Sequence, residues 1–159
     1  MKKTVSKITA IIISAIMLLT LASCGGKTAK VELNFDEICQ KISESVSMPE
    51  ETIELQGEDL LDYYGIESEK VAEYKAVQDA CGYKDEIVLI KAVDESAAAE
   101  IESLLNEHID YQKDSMKNYD PAQYEILGAS EVTVNGVYVA MFISAEQSTM
   151  LEIYNSFIK

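Results

Sequence analysis

Beyond residue 33, apolar residues recur at helical spacing in four stretches of the chain. In the first stretch, Asn34 is a good N-cap, Glu37 adds a capping-box-like signal, and Pro49 ends the pattern. Gly65 stops the second stretch, and Pro121 interrupts the third because proline disfavours helical geometry in the preceding residue. The predicted helices therefore lie within residues 34–49, 58–65, 96–120 and 145–158.

Branched side chains and a turn signal predict a first β-hairpin. Residues 86–93 are rich in branched residues and follow the turn residues 82–84, which is typical of a strand. Residues 69–80 also fit helical spacing. Extended structure over 73–79 would pair with the strand across residues 80–85, and we favour this hairpin.

A second hairpin has the clearest turn signal in the chain. Val132 and Val134 alternate with polar residues, Asn135-Gly136 predicts a two-residue type I′ turn, and residues 137–143 form the return strand. Shorter extended segments are predicted at 52–56 and 124–127.

The order of these elements predicts an α+β fold in one domain, residues 34–159. Hairpins build a small antiparallel sheet, and about three helices are expected to pack on one face of it. The chain contains no internal repeat.

The N-terminus has the pattern of a secretory signal peptide over residues 1–23. Three lysines precede an uncharged apolar stretch at 8–21. Leu21-Ala22-Ser23-Cys24 resembles the lipobox of bacterial lipoproteins, which implies cleavage before Cys24 and a diacylglycerol on its thiol. Residues 24–33 then form the lipidated cysteine and a short polar tether.

Two other interpretations of this segment are an ordinary signal peptide cut near Ala22 and a membrane helix over residues 8–26. The small residues Ser23, Gly25 and Gly26 make a poor apolar end for a span of about 20 residues. We therefore expect a lipid anchor on the extracytoplasmic face of the cell membrane, where two acyl chains give stable attachment.

The net charge of −15 excludes a nucleic-acid-binding surface of the usual basic kind. Residues 1–23 contain three of the 13 basic residues and none of the 28 acidic ones. The processed chain would therefore carry ten basic against 28 acidic residues, a net charge of −18. Such a field favours basic partners or envelope cations over anionic lipid and wall polymers.

The cysteines other than Cys24 are Cys39 and Cys81. They can pair outside the cytoplasm, but two separate buried thiols are the favoured interpretation because free cysteine behaves as a small hydrophobe. Their spacing fits no metal site, and the sequence predicts no cofactor.

The strongest polar cluster is Asp85-Glu86 at the first hairpin turn, with Tyr83 beside it. These are weak candidates for a binding site. Neighbours on a strand point to opposite faces, which argues against a shared site for Asp85 and Glu86. His108 is the only histidine, and its helical position indicates a half-buried side chain. No catalytic motif surrounds it.

Four segments of the chain are together similar to an uncharacterised group of Gram-positive lipoproteins. They are residues 82–92, the following helix, residues 118–127 and the hairpin segment 134–144. The resemblance is to domain-of-unknown-function family 4358 and covers the chain from about Phe35 onward. It implies a single lipid-anchored domain and brings no activity, substrate or catalytic residue.

From these observations we expect a membrane-anchored, non-enzymatic binding or accessory module. Its partners would be the bilayer, through Cys24, and an envelope or membrane protein. The alternative is an envelope-acting hydrolase whose site is built from scattered carboxylates and tyrosines. A deep pocket that gathers carboxylates would favour that enzyme.

Overall fold

The computed structural model describes residues 32–81 and 84–158. The helices in this part are α1 (Phe35–Ser45), α2 (Gly57–Tyr64), α3 (Glu95–Met116), α4 (Pro121–Ala129) and α5 (Gln147–Phe157). The strands are β1 (Thr52–Glu54), β2 (Val71–Asp79), β3 (Glu86–Ala92), β4 (Val132–Asn135) and β5 (Tyr138–Ile143). The fold is α+β, as the sequence predicts.

The strands of the described residues form one antiparallel sheet in the order β1-β2-β3-β5-β4. Strand β3 lies at the centre, between β2 and β5. Tyr74 pairs with Ile90 and Gln78 with Glu86, so the first hairpin is confirmed and residues 71–79 are extended. A short 3-10 turn at Ser68–Lys70 precedes β2.

Helices cover both faces of the sheet, which differs from the expectation of one covered face. Val88 and Ile90 pack with α2, α3 and α4 on one face. Ile87 and Leu89 pack with α1 and α5 on the other. All four side chains are at most 2% exposed, because successive strand residues point to opposite faces and both faces are covered. Such a continuous apolar run is typical of a strand buried on both sides.

Residues 124–127 are helical, whereas the sequence predicted an extended segment. They belong to α4, which Asp120 caps by accepting hydrogen bonds from the backbone N–H groups of Ala122 and Gln123. Pro121 lies in the first turn of α4, where a missing N–H has no cost. The proline that prevents continuation of α3 therefore helps to begin α4.

The turn of the second hairpin lies one residue later than predicted. Asn135 pairs with Tyr138, so the two-residue loop is Gly136-Val137. Gly136 has a φ of 60°, and within the described residues only glycines have positive φ. A type I′ turn over Asn135-Gly136 requires positive φ at both residues and is therefore excluded. Glycine at the first central position is typical of a type II′ turn.

The described residues begin at Glu32, within the segment assigned to the tether on sequence grounds. Leu33 is buried, and its backbone N–H donates to Tyr138 Oη over 3.4 Å. Glu32 forms an ion pair with Lys91 of β3. The predicted signal peptide and residues 24–31 lie outside the described residues. Of the helices that the structure describes, none has the length and apolar character needed to cross a bilayer.

Candidate functional site

The structure describes two of the three residues singled out as weak binding candidates. Tyr83, like the predicted lipidation site Cys24, lies outside the described residues. Asp85 is half-buried at the end of the hairpin turn, and its backbone C=O accepts a hydrogen bond from the N–H of Asp79. Glu86 is only 3% exposed and points into the layer between the sheet and α3. The two neighbouring carboxylates therefore share no site.

Glu86 lies in a buried polar cluster with three side chains that are distant in sequence. Tyr64 Oη donates to Glu86 Oε2 over 3.2 Å, and His108 Nε2 lies 3.0 Å from the same oxygen. Gln112 Nε2 donates to Glu86 Oε1. We name these four residues, Tyr64, Glu86, His108 and Gln112, the Glu86 cluster.

Helix geometry places the partners of Glu86. His108 and Gln112 are four residues apart on α3, so both side chains lie on the face that covers the start of β3. Tyr64 is the last residue of α2, which ends there because Gly65 adopts the left-handed conformation with a φ of 70°. The Tyr64 ring packs edge-on against the His108 ring, with the centroids 4.7 Å apart.

His108 Nε2 lies close to two polar atoms of the Glu86 cluster but can bond only one of them at a time. Gln112 Nε2 lies 2.7 Å away and can only donate, so it needs the lone pair of an unprotonated Nε2. Glu86 Oε2 lies 3.0 Å away and accepts from Nε2 when that nitrogen carries the proton. The tautomer of His108 therefore selects whether the imidazole bonds Gln112 or Glu86.

Burial sets the electrostatics of Tyr64. Loss of water around the phenol raises the pKa of Tyr64 well above its ordinary value, and the nearby Glu86 charge raises that pKa further. Tyr64 therefore stays neutral and acts as a hydrogen-bond donor. The side chain of His108 is 12% exposed and that of Glu86 3%, so the pair reaches solvent through the imidazole.

The buried side-chain amide of Gln123 holds the backbone just before Glu86. Gln123 of α4 is 3% exposed, and its Nε2 donates to the backbone C=O of Lys84 over 3.1 Å. Helix α4 therefore holds the hairpin end from which Glu86 enters the sheet.

Sequence reasoning found Glu86 but missed its partners. Two signals were present: a single acid directly before an apolar run of four residues, and a His-Gln pair at i, i+4 spacing on the inner face of a helix. The contribution of Tyr64 depends on how α2 packs against α3, which no local pattern encodes.

A second feature is the outer edge of β2, which β1 covers only in part. Strand β1 pairs with Val77, Gln78 and Asp79 at the end of β2. Among the described residues no strand pairs with the outer edge of residues 71–75. Two shallow clefts meet at this edge, and both are lined by Glu73 and Tyr74.

The remaining reactive groups lie outside the Glu86 cluster, but Cys39 lies near Lys75, Asp36 and Glu54 at the open edge of β2. Cys39 and Cys81 are free thiols, the first half-buried on α1 and the second exposed. Burial raises the pKa of Cys39 to about 11. Within residues 32–81 and 84–158, no group of three or more His, Cys, Asp or Glu side chains is placed to hold a metal ion.

A comparison with protein-family models finds a match for this chain. The family model described as domain of unknown function (DUF4358) matches residues 44–144, from the end of α1 to the end of the sheet. This span contains all of the Glu86 cluster and the open edge of β2. No curated protein and no solved structure matches the chain.

Proposed function

We propose, from the premise that the chain belongs to the DUF4358 family, that it is a lipid-anchored extracytoplasmic protein whose acidic domain binds a partner beside the membrane. The family carries no activity with it. The domain would act as a binding or accessory module and not as an enzyme.

The observation that carries this proposal is the segment Leu21-Ala22-Ser23-Cys24, which follows a basic start and an uncharged apolar stretch. Diacylglycerol on Cys24 supplies two acyl chains, which is what stable anchoring requires. Only seven residues separate Cys24 from Glu32, where the described residues begin. A chain of that length spans at most about 25 Å, so the bound partner would meet the domain close to the lipid surface.

The composition of the domain supports a binding role. Removal of residues 1–23 would leave a net charge of −18, which would repel anionic lipid and wall polymers. The anchor, rather than the surface of the domain, would keep the protein at the membrane. The same charge raises the encounter rate with basic partners at low ionic strength.

Crosslinking on intact cells tests this proposal. A palmitate analogue should label the wild-type chain and leave Cys24→Ala unlabelled. Crosslinking of the labelled protein should capture one dominant partner that the Cys24→Ala chain fails to capture at equal expression. Equal labelling of both chains would overturn the anchor, and absence of any dominant partner would overturn the binding role.

The Glu86 cluster supports an envelope-acting hydrolase as the second candidate. A carboxylate within hydrogen-bond distance of an imidazole is a usual component of general acid–base catalysis. Tyr64 would orient Glu86, and His108 would be the group nearest solvent. If this candidate holds, purified protein should release reducing ends or amines from envelope polymer, and Glu86→Gln should abolish the release while Asp85→Asn retains it. Equal release by both variants would contradict it.

A further inference from the structure

The open edge of β2 presents backbone groups that the sheet does not use. Leu55 N–H, just beyond β1, donates to Ala76 C=O over 2.9 Å, so the backbone groups of Ala76 point away from β3. Backbone groups alternate between the two edges of a strand, and Tyr74 is two residues before Ala76. The N–H and C=O of Tyr74 therefore point to the open edge, beyond the end of β1.

A cleft lies on each face of the sheet beside this edge, and the two clefts leave room for the side chains of an added strand. One cleft lies between Tyr74 and the start of α2, where Gly57 leaves Tyr74 Oη close to the helix backbone. The other lies between Tyr74 and the start of α1, and Phe35 forms part of its lining. A strand added to β2 would project alternate side chains into the two clefts.

Carboxylates outnumber amines around the edge. Lys75 pairs with Asp36 over 3.1 Å and with Glu54 over 2.6 Å. Lys91 pairs with Glu32, which lines the same cleft as Asp36 and Glu73. The two lysines therefore stand against four acids, and the group carries a net charge of −2. The acids are Glu32, Asp36, Glu54 and Glu73.

Glu73 is the exposed acid at the edge itself. It pairs in register with Lys91 of β3, whose pKa is raised by the hydrogen bond to Glu32 and also by the charge of Glu73, but no ion pair joins Glu73 and Lys91 among the described residues. A β-bulge between Val71 and Glu73 ends the regular edge on the other side. The regular edge is therefore short, and Glu73 lines both clefts beside it.

We propose that the open edge of β2 docks a short, basic, extended peptide segment of a partner protein as an added strand beside Glu73, Tyr74 and Lys75. This rests on the proposed binding function and names its surface and the chemistry of its partner. Tyr74 supplies backbone hydrogen bonds, and the excess acid selects a segment with lysine or arginine. A second copy of the chain is disfavoured as the occupant, because it would bring Glu73 beside an equivalent acidic edge.

Peptide titration of the full chain, purified from membranes in detergent, tests this proposal. The probe is a ten-residue peptide that alternates lysine with valine and threonine. A matched peptide has glutamate in place of each lysine. We expect saturable binding of the basic peptide alone, and slowed amide hydrogen exchange at Tyr74. Equal binding of the acidic peptide, protection confined to other elements, or self-association through β2 would each overturn the proposal.

A charge-reversal pair locates the site. Glu73→Lys should weaken binding of the basic peptide at least about tenfold at low salt, since like charges now meet at the edge. Glu152→Lys makes the same change at an exposed position of α5 and should leave binding within about twofold. Equal losses in the two variants would mean that net charge, and not this edge, attracts the peptide.

Crosslinking on intact cells separates this proposal from the function on which it rests. If wild type and Glu73→Lys capture the same dominant partner equally, the edge is the wrong surface and the binding role stands. If neither captures a partner, the binding role itself fails. Loss of capture in Glu73→Lys with retention in Glu152→Lys supports both.

Discussion

His108 Nε2 lies 3.0 Å from Glu86 Oε2, across the layer between α3 and the central strand of the sheet. The two residues are 22 positions apart, and the carboxylate is almost fully buried. A buried charge is tolerated only where hydrogen bonds replace water. The other members of the Glu86 cluster, Tyr64 and Gln112, provide those bonds, which ties α2, α3 and β3 together.

Tyr64→Phe should destabilise the protein. The substitution removes the phenolic donor and leaves Glu86 Oε2 with one partner fewer in a buried layer. Loss of a hydrogen bond to a charged group lowers the free energy of unfolding by about 1.5–3 kcal/mol. Urea denaturation measures this loss. Tyr63→Phe, at a half-exposed neighbour, serves as the control and should stay within about 0.5 kcal/mol of wild type.

Glu86 and His108 should be energetically coupled. Removing one partner of a buried pair leaves the other uncompensated, so Glu86→Leu and His108→Leu should each lower the free energy of unfolding by about 2–4 kcal/mol. The double variant should lose less than the sum of the two single losses, by about 1 kcal/mol or more. A double-mutant cycle in urea measures the difference.

Glu107 provides the matched control for this cycle. It adjoins His108 on α3 but is exposed. Glu107→Ala combined with Glu86→Leu should be additive within about 0.5 kcal/mol. Additivity of the Glu86 and His108 substitutions as well would contradict the energetic coupling of the two residues.

The fold class and the hairpins could be predicted because they depend on local patterns. The run Ile87–Ile90 and the Asn135-Gly136 signal each sit within one strand or turn. The coverage of both sheet faces was also encoded, since a run apolar at every position needs two covered faces. The turn position was wrong by one residue because cross-strand pairing of Asn135 with Tyr138 overrides the dipeptide preference.

The Glu86 cluster could be predicted only in part. Burial of Glu86 follows from the apolar strand that it begins, but its partners come from two helices brought together by packing. The open edge of β2 depends on the length of β1, which pairs with only three residues. Strand lengths in a sheet are set by long-range pairing, so a single sequence leaves them undetermined.

Tyr154→Phe should leave stability unchanged or raise it. Tyr154 is 1% exposed, and its hydroxyl is buried without a hydrogen-bond partner among the described residues. Removing a buried, unpaired hydroxyl should raise the free energy of unfolding by up to about 1 kcal/mol. Thermal and urea denaturation measure this. Tyr138→Phe is the matched control and should destabilise, because Tyr138 Oη accepts the N–H of Leu33.

Tyr154 should also make stability fall in alkali. Burial raises the pKa of Tyr154 above its ordinary value of 10.0. Above pH 10 the unfolded chain loses the phenolic proton while the folded chain keeps it. The unfolded state then binds fewer protons than the folded state, so the free energy of unfolding decreases as pH rises. Tyr154→Phe should therefore flatten the decline above pH 10. An unchanged pH profile in this variant would contradict the burial of the phenol.

Cys39 should react slowly with alkylating agents in the folded protein. With a pKa raised by burial to about 11, only about one thousandth of the thiol is ionised at pH 8, and the thiolate is the reactive form. In a chain that carries Cys24→Ala, iodoacetamide should therefore modify the exposed Cys81 first, as mass spectrometry of digested samples would show. Modification of Cys39 should accelerate as pH rises toward 11. In Cys81→Ser the reaction of Cys39 can be followed alone. Urea-unfolded chain gives the reference rate for an accessible thiol. Equal rates at the two cysteines in the folded chain would contradict the burial of Cys39.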